Sequence, residues 1–293
     1  MCSASNFAVM PLVFVPTPLG NLRDVTLRSL DVLRDARLVV AEDTRIAKKL
    51  LRALQIPLPE IWSYREANAR SVTQGILKRA QTELVAVTTD AGMPGISDPG
   101  SDLVAAARSA GVTVDVLPGP SAALGVALLS GFPLRRFVFE GFPPRAAAAR
   151  RERFAEALRS EATTIWYESP QRLRSSLADL GDVAPEARIF LVREYTKLHE
   201  EQLWGTPATV AAQLAQPVRG EIAFAIAPQP PPAKPYALAA DAGAAIDELL
   251  ASGRRVAEIA RILAARGLGE RRELYAIAAA RKAARTKPIK QAR

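Results

Sequence analysis

Three segments of this 293-residue chain combine glycine and proline with polar residues at short spacing: Val15-Pro-Thr-Pro-Leu-Gly-Asn21, Asp90-Ala-Gly-Met-Pro-Gly-Ile-Ser-Asp-Pro-Gly100 and Pro118-Gly-Pro-Ser-Ala122. Glycine and proline make tight turns and let a backbone approach a ligand closely. Each segment follows a short apolar run that reads as a parallel strand, and ligands in open α/β sheets bind beyond the carboxyl ends of such strands. The three segments therefore read as a ligand site, with plain connections as the alternative. None is a phosphate loop: no G-K-[ST] is present, and no G-x-G-x-x-G opens a helix. Other chemistries lack their residues. Cys2 is the single cysteine and His199 the single histidine, so a Cys/His zinc site cannot be assembled. A serine triad would depend on His199, and no G-x-S-x-G elbow occurs. One cysteine forms no intrachain disulfide, which agrees with a reducing compartment.

The elements that must position these loops alternate along the first 230 residues. Leu12 to Val15, Leu38 to Ala41, Leu84 to Thr88 and Val112 to Leu117 read as buried strands, rich in Val and Leu and bounded by Pro, Gly or Asp. Between them, Thr26 to Arg34 and Thr44 to Leu54 carry apolar residues at helical spacing. Alternation of this kind predicts an α/β fold with a mostly parallel sheet. The pattern repeats with strands at Phe137 to Phe139, Thr164 to Tyr167, Ile189 to Val192 and Ile222 to Ile226. Helices are expected at Arg150 to Leu158, Arg172 to Leu180 and Val210 to Leu214. Thr206-Pro207 is a helix start, a capping hydroxyl followed by proline. The expected organisation is an N-terminal α/β domain over 1–122, a second over 123–228, a proline-rich linker over 229–236 and a helical region over 237–293.

That last region concentrates the charge. The chain carries +9 overall, but residues 234–293 hold 13 Lys and Arg against 6 Asp and Glu, a net of +7 that leaves +2 for the rest. A concentrated positive segment points to a polyanion such as RNA; a solvated helical surface with a basic tail is the alternative. Ala242 to Ala251 and Val256 to Leu263 read as helices, the second ending at Gly267, and a further segment carries Leu274, Tyr275, Ile277 and Ala278. Helix, Gly-containing turn and helix outline a helix-turn-helix, or equally a small bundle. Residues 281–293, with six Lys or Arg and no acid, are expected to be mobile unless RNA orders them. The N-terminus has no secretory-signal pattern, and no apolar run reaches the ~20 residues of a membrane span. A cytoplasmic location is expected.

Seven blocks occur in an order and spacing that resemble a known family: VPTPLGNLRDVTLRSLDVL, AEDTR (41–45), TDAGMPGISDPG (89–100), PGPSA, FEGFPPR (139–145), YESPQR (167–172) and REYTKLHEE (193–201). The chain is similar over roughly residues 12–228 to the ribosomal RNA small subunit methyltransferase I family of the tetrapyrrole methylase superfamily. The resemblance implies a homodimer of two-domain α/β subunits with a small helical C-terminal extension. It implies S-adenosylmethionine as cofactor in the cleft between domains, and 2′-O-methylation of a cytidine (1402) of 16S rRNA in the small ribosomal subunit. Carried over by position, cofactor contacts fall on Leu19, Asp90, Met93, Ser121, Ala122, Glu168 and Tyr195. The first loop has Pro16, Thr17, Pro18 and Leu19 where the superfamily is often glycine-rich, and Gln171 stands where relatives commonly carry histidine.

Asp90 and Glu168 each have a structural alternative, as a turn cap and as a carboxylate at a helix N-terminus. Transfer to a ribose hydroxyl needs in-line positioning and water exclusion, and a base adds about 10²–10⁴-fold. Glu42, Asp43, Glu194 and Lys197 are the candidates, with structural ion pairing as the alternative for each. Two other functions share part of this pattern. A small-molecule tetrapyrrole methyltransferase would share the cofactor loops but has no need of the basic C-terminal segment. A non-enzymatic RNA-binding or ribosome-assembly factor would keep that segment and not require the loops.

Overall fold

The computed structural model describes residues 12–97, 100–229 and 240–285. Cys2, the proline-rich stretch 230–236 and the basic end 286–293 lie outside the described residues. The chain divides into two units, one ending at Gln229 and the other beginning at Pro230.

The first unit contains two five-stranded sheets. The first sheet is built from β1 (Leu12–Phe14), β2 (Leu38–Ala41), β3 (Glu60–Ser63), β4 (Val85–Thr88) and β5 (Val114–Val116). All its pairings are parallel, in the order β3-β2-β4-β1-β5. Its helices are α1 (Leu27–Asp35), α2 (Thr44–Ala53), α3 (Ala69–Ala80) and α4 (Ser101–Ser109). Alternate residues of one strand enter different cores. Leu12, Phe14, Leu38, Val40, Val85 and Val87 pack with Ile76 and Leu77 of α3 and Leu103 of α4. Val13, Val39 and Ala86 pack with Val32 and Leu33 of α1 and Leu51 of α2. Burial on both faces is why these strands read as unbroken apolar runs. The edge strand β3 is only partly buried, so it carries no such run and gives no strand signal. Thr26 and Asp43 start α1 and α2, accepting the amides of Ser29 and Arg45 at 3.0 and 2.8 Å.

The second sheet comprises β6 (Phe137–Gly141), β7 (Thr163–Glu168), β8 (Ile189–Arg193), β9 (Glu201–Gly205) and β10 (Ile222–Ile226), in the order β6-β7-β10-β8-β9. Here the sequence expectation of a mostly parallel arrangement is corrected. Only β6 and β7 run parallel; the pairs β7–β10, β10–β8 and β8–β9 are antiparallel. The reason is β9, a strand absent from the sequence reading. Residues 194–200 join it to β8 without a helix, and a connection that short returns the chain antiparallel. One face of the sheet buries Trp166 and Phe224 against Phe154 of α6 (Ala147–Leu158) and Leu177 of α7 (Leu173–Val183). The other face receives α5 (Ala122–Leu129), whose Ala123, Val126 and Ala127 pack on Ile165, Phe190, Ala223 and Ala225. A fourth helix, α8 (Pro207–Gln213), begins in a capping box formed by Thr206 and Thr209. Arg150 and Asp179 form a buried ion pair between α6 and α7, with Nε donating at 2.7 Å.

The second unit is a cluster of α9 (Ala240–Ala251), α10 (Val256–Ala265) and α11 (Arg271–Arg285) around Ile246, Ile259, Leu263, Leu274 and Ala278. Within this cluster α10, the turn at Gly267 and α11 follow the helix, Gly-containing turn, helix order. Gly267 (φ +73°) leads the chain out of α10 in a left-handed conformation. Arg281 ties α11 to α9 by donating to the carbonyl of Gly243 at 3.0 Å and pairing with Asp247. No helix among the described residues is long and apolar enough to cross a membrane.

Candidate functional site

The carboxyl ends of β1, β2, β4, β7 and β8 meet around a cleft of about 430 Å³ within the first unit, in the usual size range for small-molecule sites. Leu19 enters from the loop after β1 and Glu42 from the end of β2. Asp90, Met93 and Ile96 come from the loop after β4, and Ser121 and Ala122 from the start of α5. From the second sheet come Tyr167, Glu168, Val192, Tyr195 and the segment Gly220 to Ala223. Because β10 runs antiparallel to β7 and β8, its first residues lie where those strands end.

The loops are stitched together by backbone. Thr17 and Gly92 exchange N–H···O bonds at 2.9 and 3.0 Å, and the buried Thr17 hydroxyl donates to the carbonyl of Thr89 at 3.2 Å. Gly92 adopts φ +82°, where a Cβ would press on Leu19. A Cβ on Gly119 would meet the Pro16 ring at 2.3 Å, so glycine there lets the first and third loops touch. The first loop keeps Gly20, where a Cβ would meet the Lys197 side chain at 2.1 Å, and its approaches to the other two loops are made from Gly92 and Gly119 opposite it.

The charged groups differ in their surroundings. Burial raises the Asp90 carboxyl above its ordinary pKa; the hydrogen bond from the Asp43 amide opposes this, the Asp43 charge adds to it, and Arg65 and Arg45 oppose it. That amide donates to Asp90 Oδ1 at 3.1 Å. Asp43 itself is held well below the carboxylate range by hydrogen bonds from the Arg45 side chain and amide. Glu168 is fully buried, with Oε1 accepting the Ser169 amide at 2.8 Å, Oε2 accepting the Ser176 hydroxyl, and Arg172 at 3.4 Å. It lines the cleft and ties β7 to the start of α7 at once.

All seven cofactor-contact residues expected from the resemblance line this one cleft, together with Glu42. Glu194 and Lys197 lie beside it and hold each other: Lys197 Nζ is 2.9 Å from Glu194 Oε1 and 3.2 Å from Glu221 Oε2. Burial works against ionisation of both, but their mutual contact and that with Glu221 outweigh it, lowering the glutamate and raising the lysine. Glu194 (φ +53°) and Thr196 (φ +67°) bracket Tyr195 in left-handed backbone, a conformation that the surrounding structure must enforce. Tyr167, braced edge-on by Phe139 at 4.9 Å, and Gly220 to Ala223 were not found from sequence. Tyr167 stands in the YESPQR block, whereas 220–223 read only as the entry to a strand. Among the described residues no cluster of three or more His, Cys, Asp or Glu could hold a metal.

Two α/β sheets whose loops close over one cleft define a tetrapyrrole-methylase type of fold, and the family model of the Tetrapyrrole (Corrin/Porphyrin) Methylases matches residues 11–211. Solved structures share it. A diphthine synthase superposes with a TM-score of 0.58 at 13% identity, covering 74% of this chain and 89% of that one. A cobalt precorrin-4 methyltransferase gives 0.57 at 14%, covering 74% and 94%. Within that fold, the chain belongs to the ribosomal RNA small subunit methyltransferase I family. It is 37% identical to the Synechocystis protein of that name over 267 residues, covering 90% of this chain and 95% of the relative. With the Mycobacterium tuberculosis protein it shares 40% over 271 residues, covering 90% and 93%. The Thermotoga maritima protein is 43% identical over 192 residues, covering 65% and 85%. The methyl donor of these enzymes is S-adenosylmethionine. The cleft fits it chemically: Asp90 offers a carboxylate to its cationic groups, and Leu19, Met93, Ile96 and Ile222 offer apolar wall.

Proposed function

We propose that this chain methylates the ribose 2′-hydroxyl of a cytidine in 16S ribosomal RNA, at position 1402, as a cytoplasmic homodimer acting on the small ribosomal subunit. In this reading the cleft is the S-adenosylmethionine pocket, contacted by Leu19, Asp90, Met93, Ser121, Ala122, Glu168 and Tyr195. The observation that carries it is the convergence of these seven residues, drawn from five separate segments, on one cleft. Bound there, the cofactor supplies an electrophilic methyl carbon on a sulfonium. The protein's part is to hold that carbon in line with the ribose oxygen and keep water out.

Of the four candidate bases, Glu42 is favoured, since it lines the cleft. Glu194 and Lys197 act as positioning residues that hold the Tyr195 loop, since each is engaged by the other. Asp43, engaged by Arg45 and kept ionised, is a helix cap.

The test is methyl transfer from radiolabelled S-adenosylmethionine to purified small subunits lacking the modification, with free ribosomal RNA and a tetrapyrrole precursor as parallel acceptors. Label at a ribose 2′-oxygen of the subunit RNA is expected. Label in the tetrapyrrole alone, or none in any RNA, would overturn the reading.

A further inference from the structure

The helical unit carries more positive charge than its own structure uses. Arg254 pairs with Glu258 and Arg281 with Asp247. Arg255, Arg261, Arg266, Arg271 and Arg272 make no ion pair with any described residue. Three of these cluster at one place: Arg266 closes α10, and Arg271 and Arg272 open α11. The first turn of a helix is an unfavourable position for cations, because the macrodipole is positive there. Helix stability therefore does not account for this pair.

Tyr275 follows them at i+4 and i+3, so its ring neighbours both arginines on one side of α11. Its ring is half exposed, although the core of the unit is completed by Leu274 and Ala278 of the same helix. Glu273 falls on the far side of α11 at about 3.6 residues per turn. The face therefore presents two guanidinium groups and an aromatic ring, with Arg266 in the preceding turn. Guanidinium groups recognise phosphate, and exposed rings stack on unpaired bases.

We propose that the α11 face formed by Arg271, Arg272 and Tyr275, with Arg266, is an RNA-docking surface that grips ribosomal RNA by its phosphates and stacks one unpaired base on Tyr275. This rests on the reading of the chain as a ribosomal RNA methyltransferase and adds to it a surface remote in sequence from every residue of the cleft.

The experiment uses the full chain and an unmodified 16S ribosomal RNA transcript, with dissociation constants measured across a salt series. Each lost phosphate contact lowers the slope of log K against log salt by about 0.7–0.9. The double variant Arg271→Ala/Arg272→Ala should bind about ten-fold or more weakly and lose roughly 1.5 from the slope. Tyr275→Ala should weaken binding about ten-fold with the slope kept, since stacking releases no counterion. Cofactor affinity and the melting temperature should match those of wild type in both. Arg108→Ala, an exposed arginine of α4, serves as the control and should change neither affinity nor slope. Wild-type affinity and slope in the double variant, with normal methylation by the unaltered chain, would overturn this inference alone. No binding of the transcript by the unaltered chain, with no methylation of small subunits either, would overturn both it and the functional reading; no transcript binding with subunits methylated would overturn this inference alone.

Discussion

A Cβ placed on Gly125 would lie 2.5 Å from the ring of Tyr195, so the helix that follows the third loop accepts the tyrosine against its backbone. The contact joins α5 to the β8–β9 loop and sets the position of a ring lining the cleft. Gly125→Ala should stabilise α5 intrinsically, since alanine is about 1 kcal/mol better than glycine in a helix. It should nonetheless weaken S-adenosylmethionine binding about ten-fold or more, by displacing Tyr195. Calorimetric titration alongside thermal melting separates the two effects; unchanged affinity would show that the ring's position does not matter.

Asp90 should make cofactor binding depend on pH. Its pKa is raised, chiefly by burial, so its ionisation costs stability as pH rises through the folded-state value, a cost absent below the unfolded value. Asp90→Asn keeps an acceptor for the Asp43 amide and removes that cost, so the variant should be at least as stable at neutral pH. Cofactor affinity should fall about ten- to a hundred-fold. In wild type, affinity should weaken as pH drops through the raised pKa, and the asparagine variant should lack that limb.

Glu42→Gln should lower kcat by about 10²–10⁴-fold, the usual contribution of a general base, with cofactor affinity unchanged within a few-fold. Single-turnover methyl transfer measures this. A loss of cofactor affinity instead would reassign Glu42 to binding.

Glu194→Gln and Lys197→Met should each loosen the loop that carries Tyr195, and their effects should not add. A double-mutant cycle on unfolding free energy should give a coupling of about 0.5–3 kcal/mol, as for residues in direct contact. Additive losses would mean that the 2.9 Å contact contributes nothing in solution.

Glu168→Ala should be among the most damaging single changes. It leaves the buried Ser176 hydroxyl and the partly exposed Arg172 without their carboxylate partner, and a buried polar group left without its partner costs about 1–3 kcal/mol. Denaturant unfolding reads the loss directly; Glu168→Gln, which keeps the shape, should cost less.

Much of the fold was legible along the chain. Leu38 to Ala41 and Ile222 to Ile226 are strands at the expected bounds, because strands buried on both faces must be apolar at every position. The Thr206 cap marks a helix start through a local hydrogen bond, whereas the caps at Thr26 and Asp43 were not read from the sequence. The cleft residues were reached through motif blocks, whose loops sit at strand ends wherever the strands go. β3 and β9 left no trace, since an edge strand with one wet side can be built from polar residues such as Glu201 and Gln202.

What the sequence alone determined, then, is the set of local elements and the loops that carry chemistry. Tertiary structure decided how the second sheet runs and what meets at its edge. Strand direction depends on pairing between segments distant in sequence, and no window of the chain encodes that β10 inserts antiparallel between β7 and β8. That insertion brings Gly220 to Ala223 to the cleft and turns Lys197 toward Glu221. That Glu42 lines the cleft while Glu194 and Lys197 pair beside it is likewise decided by packing between segments distant in sequence.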